Sequence, residues 1–496
     1  MSPILILSFI TLYFLVLLGI SFITSKNSTS ESFFLGNRKS PWYVVAFGMI
    51  GTSLSGVTFI SVPGWVGSSQ FSYMQTVLGY LIGYFIIAYV LLPVYYRLNL
   101  TSIYSYLEKR FGYWSYKTGA FFFLLSRILG ASFRLFLVAT VLQEFVFGNW
   151  GIPFEVTVLI TIMFIWLYTY KGGIKTIIWT DTLQTFFMLT AVGLSIYFIA
   201  KDINLSIGAL VSRIAESEYS TMFFLEDFKA KSHLVKQLLS GAFIAICMTG
   251  LDQDMMQKNI SCKNVGDAQK NMISFSIVLV FVNLVFLALG ALLFIYASEK
   301  GINIPARTDL LYPTIALNSG LGLSIGVFFI LGLVSAAYSS ADSALTALTT
   351  SFCIDFLKVQ DLEEADKERI RKKVHIGMSL SLLFVIIAFR YLIDKSVIDT
   401  LLKVASYTYG PLLGLFAFGL FTNKKVRDNW VPLICVVAPA FTYVIGIYSK
   451  EWFNGYVFAY ELLMVNGMLT FLGLLGLSVL YKKGMPIGAA SSIAEP

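Results

Sequence analysis

Apolar runs of about 18 residues or more recur along the chain, separated by short polar stretches. They fall at 4–24, 42–66, 75–97, 115–147, 153–170, 175–200, 236–256, 271–298, 323–356, 375–393, 399–421, 430–449 and 458–481. Each is long enough to cross a hydrocarbon core as a helix. The pattern therefore predicts an all-α polytopic membrane protein of about thirteen transmembrane helices. Basic residues alternate with these runs. One set of loops holds Lys26, Arg38 and Lys39; Arg97, Lys109 and Arg110; Lys171 and Lys175; Lys258, Lys263 and Lys270. It continues with Arg371, Lys372 and Lys373, then Lys424, Lys425 and Arg427, then Lys482 and Lys483. The loops of the other set are short and uncharged, apart from a mixed segment at 201–235. The alternation puts the N-terminus outside and the C-terminus in the cytoplasm of a plasma (inner) membrane. No basic residue precedes the first run, so it is expected to be a retained helix and not a cleaved leader. The stretch 357–374 is expected to be a solvated charged helix or coil, and the tail after 483 to be disordered.

Polar residues inside the apolar runs carry the candidate chemistry. In the run 323–356, Ala336, Ser339, Ser340 and Ser343 recur at helical spacing and share one face, with Asp342 beside it. A stripe of small residues alone is explained by close helix packing. A carboxylate at membrane depth is costly and marks an ion or substrate path. Hydroxyls, carbonyls and carboxylates are the donors a hard cation takes. The sixth run adds Asp181 and Gln184, about one turn apart; Asp181 needs a partner or an ion, with Ser339, Asp342 and Ser343 as candidates.

The second run crowds Gly48, Gly51, Ser53, Ser55, Gly56 and Thr58 at its centre, and the seventh carries Gly250, Asp252, Gln253 and Asp254. Such stretches let a membrane helix unwind and free its carbonyls. With the first run set aside, the two interrupted helices open two groups of five, the pointer to an inverted-repeat secondary transporter. Asp252 and Asp254 have an alternative placement at the membrane interface. Arg127 and Arg134 are seven residues apart on one helix face. They either grip a substrate carboxylate or neutralise buried acids. Lys403 belongs to a vestibule or to the binding cavity.

Composition narrows the classes. The chain of 496 residues is 57% hydrophobic and 13% charged, with a net charge of +8. The basic excess lies in loops between apolar runs, as topology requires, so nucleic acid is not an expected partner. The four cysteines show no pair or metal spacing, and the only histidines are His233 and His375. Catalysis by a histidine constellation is unsupported, and no enzyme is expected.

Six stretches, in this order, resemble the sodium/solute symporters, the family of glucose, proline, pantothenate, iodide and sialic acid cotransporters. They are GTSLSGVTFISVPG at 51–64, TSIYSYLEKRFG at 101–112, GGIKTIIWTDTLQ at 172–184, DQDMMQK at 252–258, SAAYSSADSALTALTTSFCIDF at 335–356 and ASYTYGPLLGLFAFG at 405–419. The resemblance implies a leucine-transporter-like five-plus-five inverted repeat in a single transporter domain. An extra helix and loop occupy 1–40, the repeats 41–200 and 236–421, and two further helices 430–481. It implies a sodium-coupled symporter, with the lipid bilayer, sodium ions and a small solute as partners, expected as a monomer. A sodium (Na+) site is implied at the carbonyls of Gly51, Leu54 and Ala336 and the hydroxyls of Ser339 and Ser340. A second sodium or proton site is implied at Asp181, Ser339, Asp342 and Ser343, with Asp342 a departure from the family pattern. Substrate contacts are implied at Ser53, Ser55, Thr58, Gln75, Arg127 or Arg134, Asp252, Gln253 and Lys403. An anionic or zwitterionic solute is favoured, a sugar being possible. A proton-coupled carrier and a membrane solute sensor are the alternatives; sensors are expected to append a signalling domain.

Overall fold

The computed structural model describes residues 3–25, 30–170, 173–392 and 397–483. Lys26, Lys171 and the tail after 483 lie outside the described residues. The main helices are α1 (Ile4–Thr24), α2 (Trp42–Ser53 and Gly56–Ser69), α3 (Tyr73–Arg97), α4 (Tyr113–Trp150) and α5 (Phe154–Thr169). They continue with α6 (Thr176–Asp202), α7 (Leu234–Gly250 and Gln253–Ile260), α8 (Val265–Lys300) and α9 (Leu323–Phe356). The last are α10 (Glu364–Phe389), α11 (Val397–Thr408 and Gly410–Phe421), α12 (Asp428–Trp452) and α13 (Leu462–Leu480). Among the described residues, nine of these are single helices long and apolar enough to span, three are bent pairs, and α5 is a shorter apolar helix. Every expected apolar stretch is thus helical. The charged stretch 357–374 is a mostly exposed charged helix in its second half, where it forms the opening turns of α10.

The bends follow from local chemistry. α2 turns by 54° at Leu54–Ser55 and α7 by 65° at Leu251–Asp252. In α2 the last rung is Leu54 N–H to Ile50 O at 2.8 Å, and the ladder resumes only with Phe59 N–H to Ser55 O. In α7 the second half is capped by Asp252, whose carboxylate accepts from Asp254 N–H at 3.0 Å. A third bend, 44° in α11, was not expected from hydropathy. It falls at Tyr409, and Pro411 in the opening turn of the second half supplies no N–H to continue the ladder.

Packing brings the interrupted helices onto the polar face of α9. α6 lies along α9 on one side and the first half of α2 on the other. The approach of α2 to α6 depends on Gly51, where a Cβ would sit 2.2 Å from Thr185 Oγ1. α3 and α7 touch backbone to backbone at Gly79 and Gly241: a Cβ on Gly241 would meet Thr76 O at 2.1 Å. α1 closes the other side of α9, where Ser335 Oγ donates to Tyr13 OH at 2.9 Å.

Candidate functional site

The break in α2, the middle of α6 and the serine face of α9 converge on Asp181. Its Oδ1 accepts from Ser339 Oγ at 2.5 Å and its Oδ2 from Thr52 Oγ1 at 3.0 Å. The side chain that neutralises it is Lys258, from the second half of α7. The Lys258 ammonium lies 2.5 Å from Asp181 Oδ2 and 2.7 Å from Ser343 Oγ, and it also donates to Thr52 Oγ1. Both charged side chains are sealed from solvent. Asp342 stands next to this cluster; Tyr168 OH (2.8 Å) and the Ser343 N–H (2.6 Å) donate to it. The residues named for a second ion or proton therefore do come together, but around an ammonium. The basic-loop pattern alone assigns Lys258 to a loop at the membrane face. The 65° turn in α7 instead sends Gln253–Ile260 back into the bundle, where all of it is buried.

Beside this cluster is a set of oxygens with nothing to bind. The carbonyls of Gly51, Thr52, Ser53 and Leu54 fall between the two halves of α2, and among the described residues no backbone or side-chain donor reaches them. Ser340 is 1% exposed and its hydroxyl has no partner. A buried hydroxyl left unpaired costs on the order of 1–3 kcal/mol, so its neighbourhood calls for a ligand. Ala336, one turn before Ser340, keeps a second carbonyl lone pair free of its helical bond. Oxygens only, from a broken helix and a hydroxyl face, make a donor set for a hard monovalent cation.

On the other side of the α2 break lies a cavity of about 100 Å3, lined by Ser53, Leu54, Ser55, Thr58, Tyr73, Tyr84, Thr249, Arg127 and Arg134 among others. That is room for a few waters, so a solute requires this conformation to widen. The two arginines differ. Arg127 is ion-paired with Asp254 and lies 3.9 Å from Asp252. Arg134 makes no ion pair among the described residues; the Nε of both arginines is buried without an acceptor.

The remaining predicted substrate residues lie elsewhere. Gln75 is tied to the segment between α6 and α7, donating to Ser232 O at 2.8 Å and accepting from Phe224 N–H at 3.2 Å. Asp252 accepts from Tyr409 OH at 2.5 Å and caps its helix. Gln253 holds the α3–α4 connection, through Ile103 N–H at 3.0 Å and Thr101 O at 2.8 Å. Lys403 pairs with Asp399 at 2.6 Å, with its side chain 46% exposed. It lines a separate cavity of about 380 Å3 with Gln70, Lys231 and Tyr460. Each of these four polar side chains is satisfied by the fold before any solute arrives.

The chain has relatives that match this architecture. A profile of the Sodium:solute symporter family matches residues 33–428. The sodium/sialic acid symporter NanT of Aliivibrio fischeri is 26% identical over 435 residues, covering 85% of this chain and 83% of that protein. The sodium/sialic acid symporter SiaT of Proteus mirabilis is 23% identical, covering 85% of each. Among solved structures, a substrate-bound, outward-open Na+-coupled sialic acid symporter aligns with a TM-score of 0.82 at 20% identity, covering 96% of this chain and 98% of that one. Mhp1, a nucleobase-cation-symport-1 family transporter, aligns at 0.58 over 93% of this chain and 97% of its own. These alignments establish the leucine-transporter-like fold, with α2–α6 and α7–α11 as its inverted halves, one helix before them and two after. With a family profile spanning most of a multi-pass membrane protein built this way, the chain belongs to the sodium:solute symporter family and is a sodium-coupled symporter, not an enzyme.

Proposed function

We propose that the coupling sodium binds at the carbonyls of Gly51, Leu54 and Ala336 and the hydroxyls of Ser339 and Ser340, and that the solute is an organic anion or zwitterion held by Arg134. The observation that carries the sodium reading is the unpartnered Ser340 hydroxyl on α9, which packs against both halves of α2, together with the unpartnered carbonyls of the α2 break. Ser339 can serve there because its proton goes to Asp181 and its lone pairs stay free. The test is sodium activation of transport in the Ser340→Ala variant. A rise of about tenfold in half-saturating sodium, matching one lost ligand of about 1.4 kcal/mol, is expected. Unchanged sodium dependence would overturn the site.

For the solute, the supporting observation is the difference between the arginines. Arg127 is ion-paired with Asp254, whereas Arg134 brings to the cavity wall a guanidinium that makes no ion pair among the described residues. A planar guanidinium recognises carboxylate in a bidentate way. The names of several relatives point the same way, since they carry sialic acid, iodide or monocarboxylates, although one carries glucose. Ser53, Ser55 and Thr58 supply neutral hydrogen bonds beside Arg134. Uptake of labelled sialic acid, pyruvate, proline and glucose into proteoliposomes, with and without an inward sodium gradient, decides the class. Sodium-driven accumulation of an anion is expected; accumulation of glucose alone would overturn the role of Arg134.

The cycle follows. Sodium bridges the α2 break to α9 and steadies the hydroxyls that face the solute, so each ligand raises the affinity of the other. One positive charge moving inward through the membrane potential contributes about 2.3 kcal/mol per 100 mV. The halves 41–200 and 236–421 are the bodies that rock about this site, in a cell membrane with the N-terminus outside, the C-terminus cytoplasmic and the monomer as the working unit.

A further inference from the structure

We infer that the Lys258 ammonium is a built-in second cation, which fills the seat beside the sodium site and limits the protein to one sodium ion per transport cycle. The inference rests on the sodium site proposed above and fixes its stoichiometry.

Three features support it. First, the ammonium has three N–H donors, and three oxygens take them: Asp181 Oδ2, Thr52 Oγ1 and Ser343 Oγ. Those oxygens, with Ser339 bound to the other oxygen of Asp181, are the cage that a second sodium would need. A free cation brought to about 4 Å from this ammonium would lose on the order of a thousandfold in affinity through repulsion at an effective dielectric near 20. Second, Lys258 is held in place by the fold. It lies in the buried second half of α7, whose neighbour Gln257 donates to Phe34 O at 2.7 Å and to Thr350 Oγ1 at 3.1 Å. Its own carbonyl accepts from Ser261 Oγ at 2.6 Å.

Third, charge balance gives Asp342 a role. Asp181 and Asp342 bring two buried carboxylates to one cluster, and Lys258 brings one positive charge. Asp342 is hydrogen-bonded to Tyr168 and Ser343, and no cationic side chain lies in contact with it among the described residues. With one sodium bound alongside Ser339, the carboxylates and cations are equal in number. Counted with both carboxylates ionised, the cluster is net negative without sodium and net positive with two sodium ions.

The test is a count of radioactive sodium bound at saturation by the purified full-length protein in nanodiscs, with the sodium-to-solute ratio from the reversal potential in proteoliposomes. One sodium per wild-type chain is expected. Two per wild-type chain would overturn the inference and leave the sodium site intact. No saturable sodium would overturn that site and the inference with it. Lys258→Arg keeps the charge and is expected to keep the count at one. Lys258→Met empties the seat, and a second sodium of lower affinity is expected, raising the Hill slope of sodium activation from 1 towards 2. A count still at one in folded Lys258→Met would also overturn the inference. Should that variant fail to fold, the wild-type count decides.

Discussion

Lys258 and Asp181 meet in the interior of the bundle, 77 positions apart in sequence and 2.5 Å apart in space, with each side chain sealed from solvent. A buried pair of this kind adds little stability over an apolar substitute, but breaking it leaves a bare charge. Asp181→Asn is therefore expected to destabilise the protein by about 3–5 kcal/mol, and Lys258→Met by a similar amount. The double variant, which removes both charges, is expected to recover much of the loss. Unfolding midpoints of the four proteins in detergent form the cycle; additive single effects would show that the two groups do not interact.

Arg127 and Arg134 provide a second contrast. They sit on one face of α4 and both line the cavity, but only Arg127 is ion-paired. Arg134→Gln is expected to leave the unfolding midpoint close to wild type while raising KM for an anionic solute about 10- to 150-fold, the range of one lost charged hydrogen bond of about 1.5–3 kcal/mol. Arg127→Gln strands the Asp254 carboxylate and is expected to lower stability first. If both variants lost the same affinity with unchanged midpoints, the distinction between them would fail.

Much of this architecture was legible in the residues because the bilayer imposes it. A span must be long and apolar, and loop lysines must alternate, so most helices lie close to where hydropathy places them, α10 excepted, which starts eleven residues earlier at Glu364. The breaks in α2 and α7 were legible too, because glycine, serine and aspartate gather at mid-membrane where a helix opens. Lys258 was missed for a specific reason. Reading α7 as a straight span assigns everything past Asp254 to the membrane face, and the lysine then counts towards topology. The available signal was local: Lys258 follows Asp254 by one helical turn in a segment that restarts at the Asp252 cap. The bend in α11 was written in Gly410–Pro411, and the Asp399–Lys403 pair in its four-residue spacing. What the sequence could not show is which polar groups the fold had already satisfied, as with Gln75 and Gln253.

The glycine contact between α3 and α7 has its own consequence. A Cβ at Gly241 would enter the Thr76 carbonyl, and one at Gly79 would lie 2.2 Å from Leu238 O. Neither obstacle is a side chain that can turn away. Gly241→Ala is expected to push the helices apart at a cost of about 1–3 kcal/mol. Gly193→Ala is the control, since nothing lies within 4 Å of a Cβ there and the substitution favours the helix. The unfolding midpoint should fall for Gly241→Ala and stay level or rise for Gly193→Ala. Equal midpoints would mean that the α3–α7 contact is looser than its geometry.

The proposed sodium and solute sites share the break at Leu54–Ser55, and linkage turns that arrangement into a number. The Leu54 carbonyl, which no donor takes among the described residues, is a proposed sodium ligand, and Ser53 and Ser55 beside it line the cavity. Ordering the turn for one ligand prepares it for the other. The factor by which saturating sodium lowers the solute Kd must equal the factor by which saturating solute lowers the sodium Kd. A value of about 5 to 150 is expected, measured by titration calorimetry in both orders with choline in place of sodium. Ser340→Ala loosens the tie between the break and α9, so it should shrink both factors together. Unequal factors in the wild-type protein would mean that the two titrations do not share one pair of end states. A factor of 1 in both directions would mean that the break does not couple the sites, and that coupling arises instead in the moving halves of the cycle.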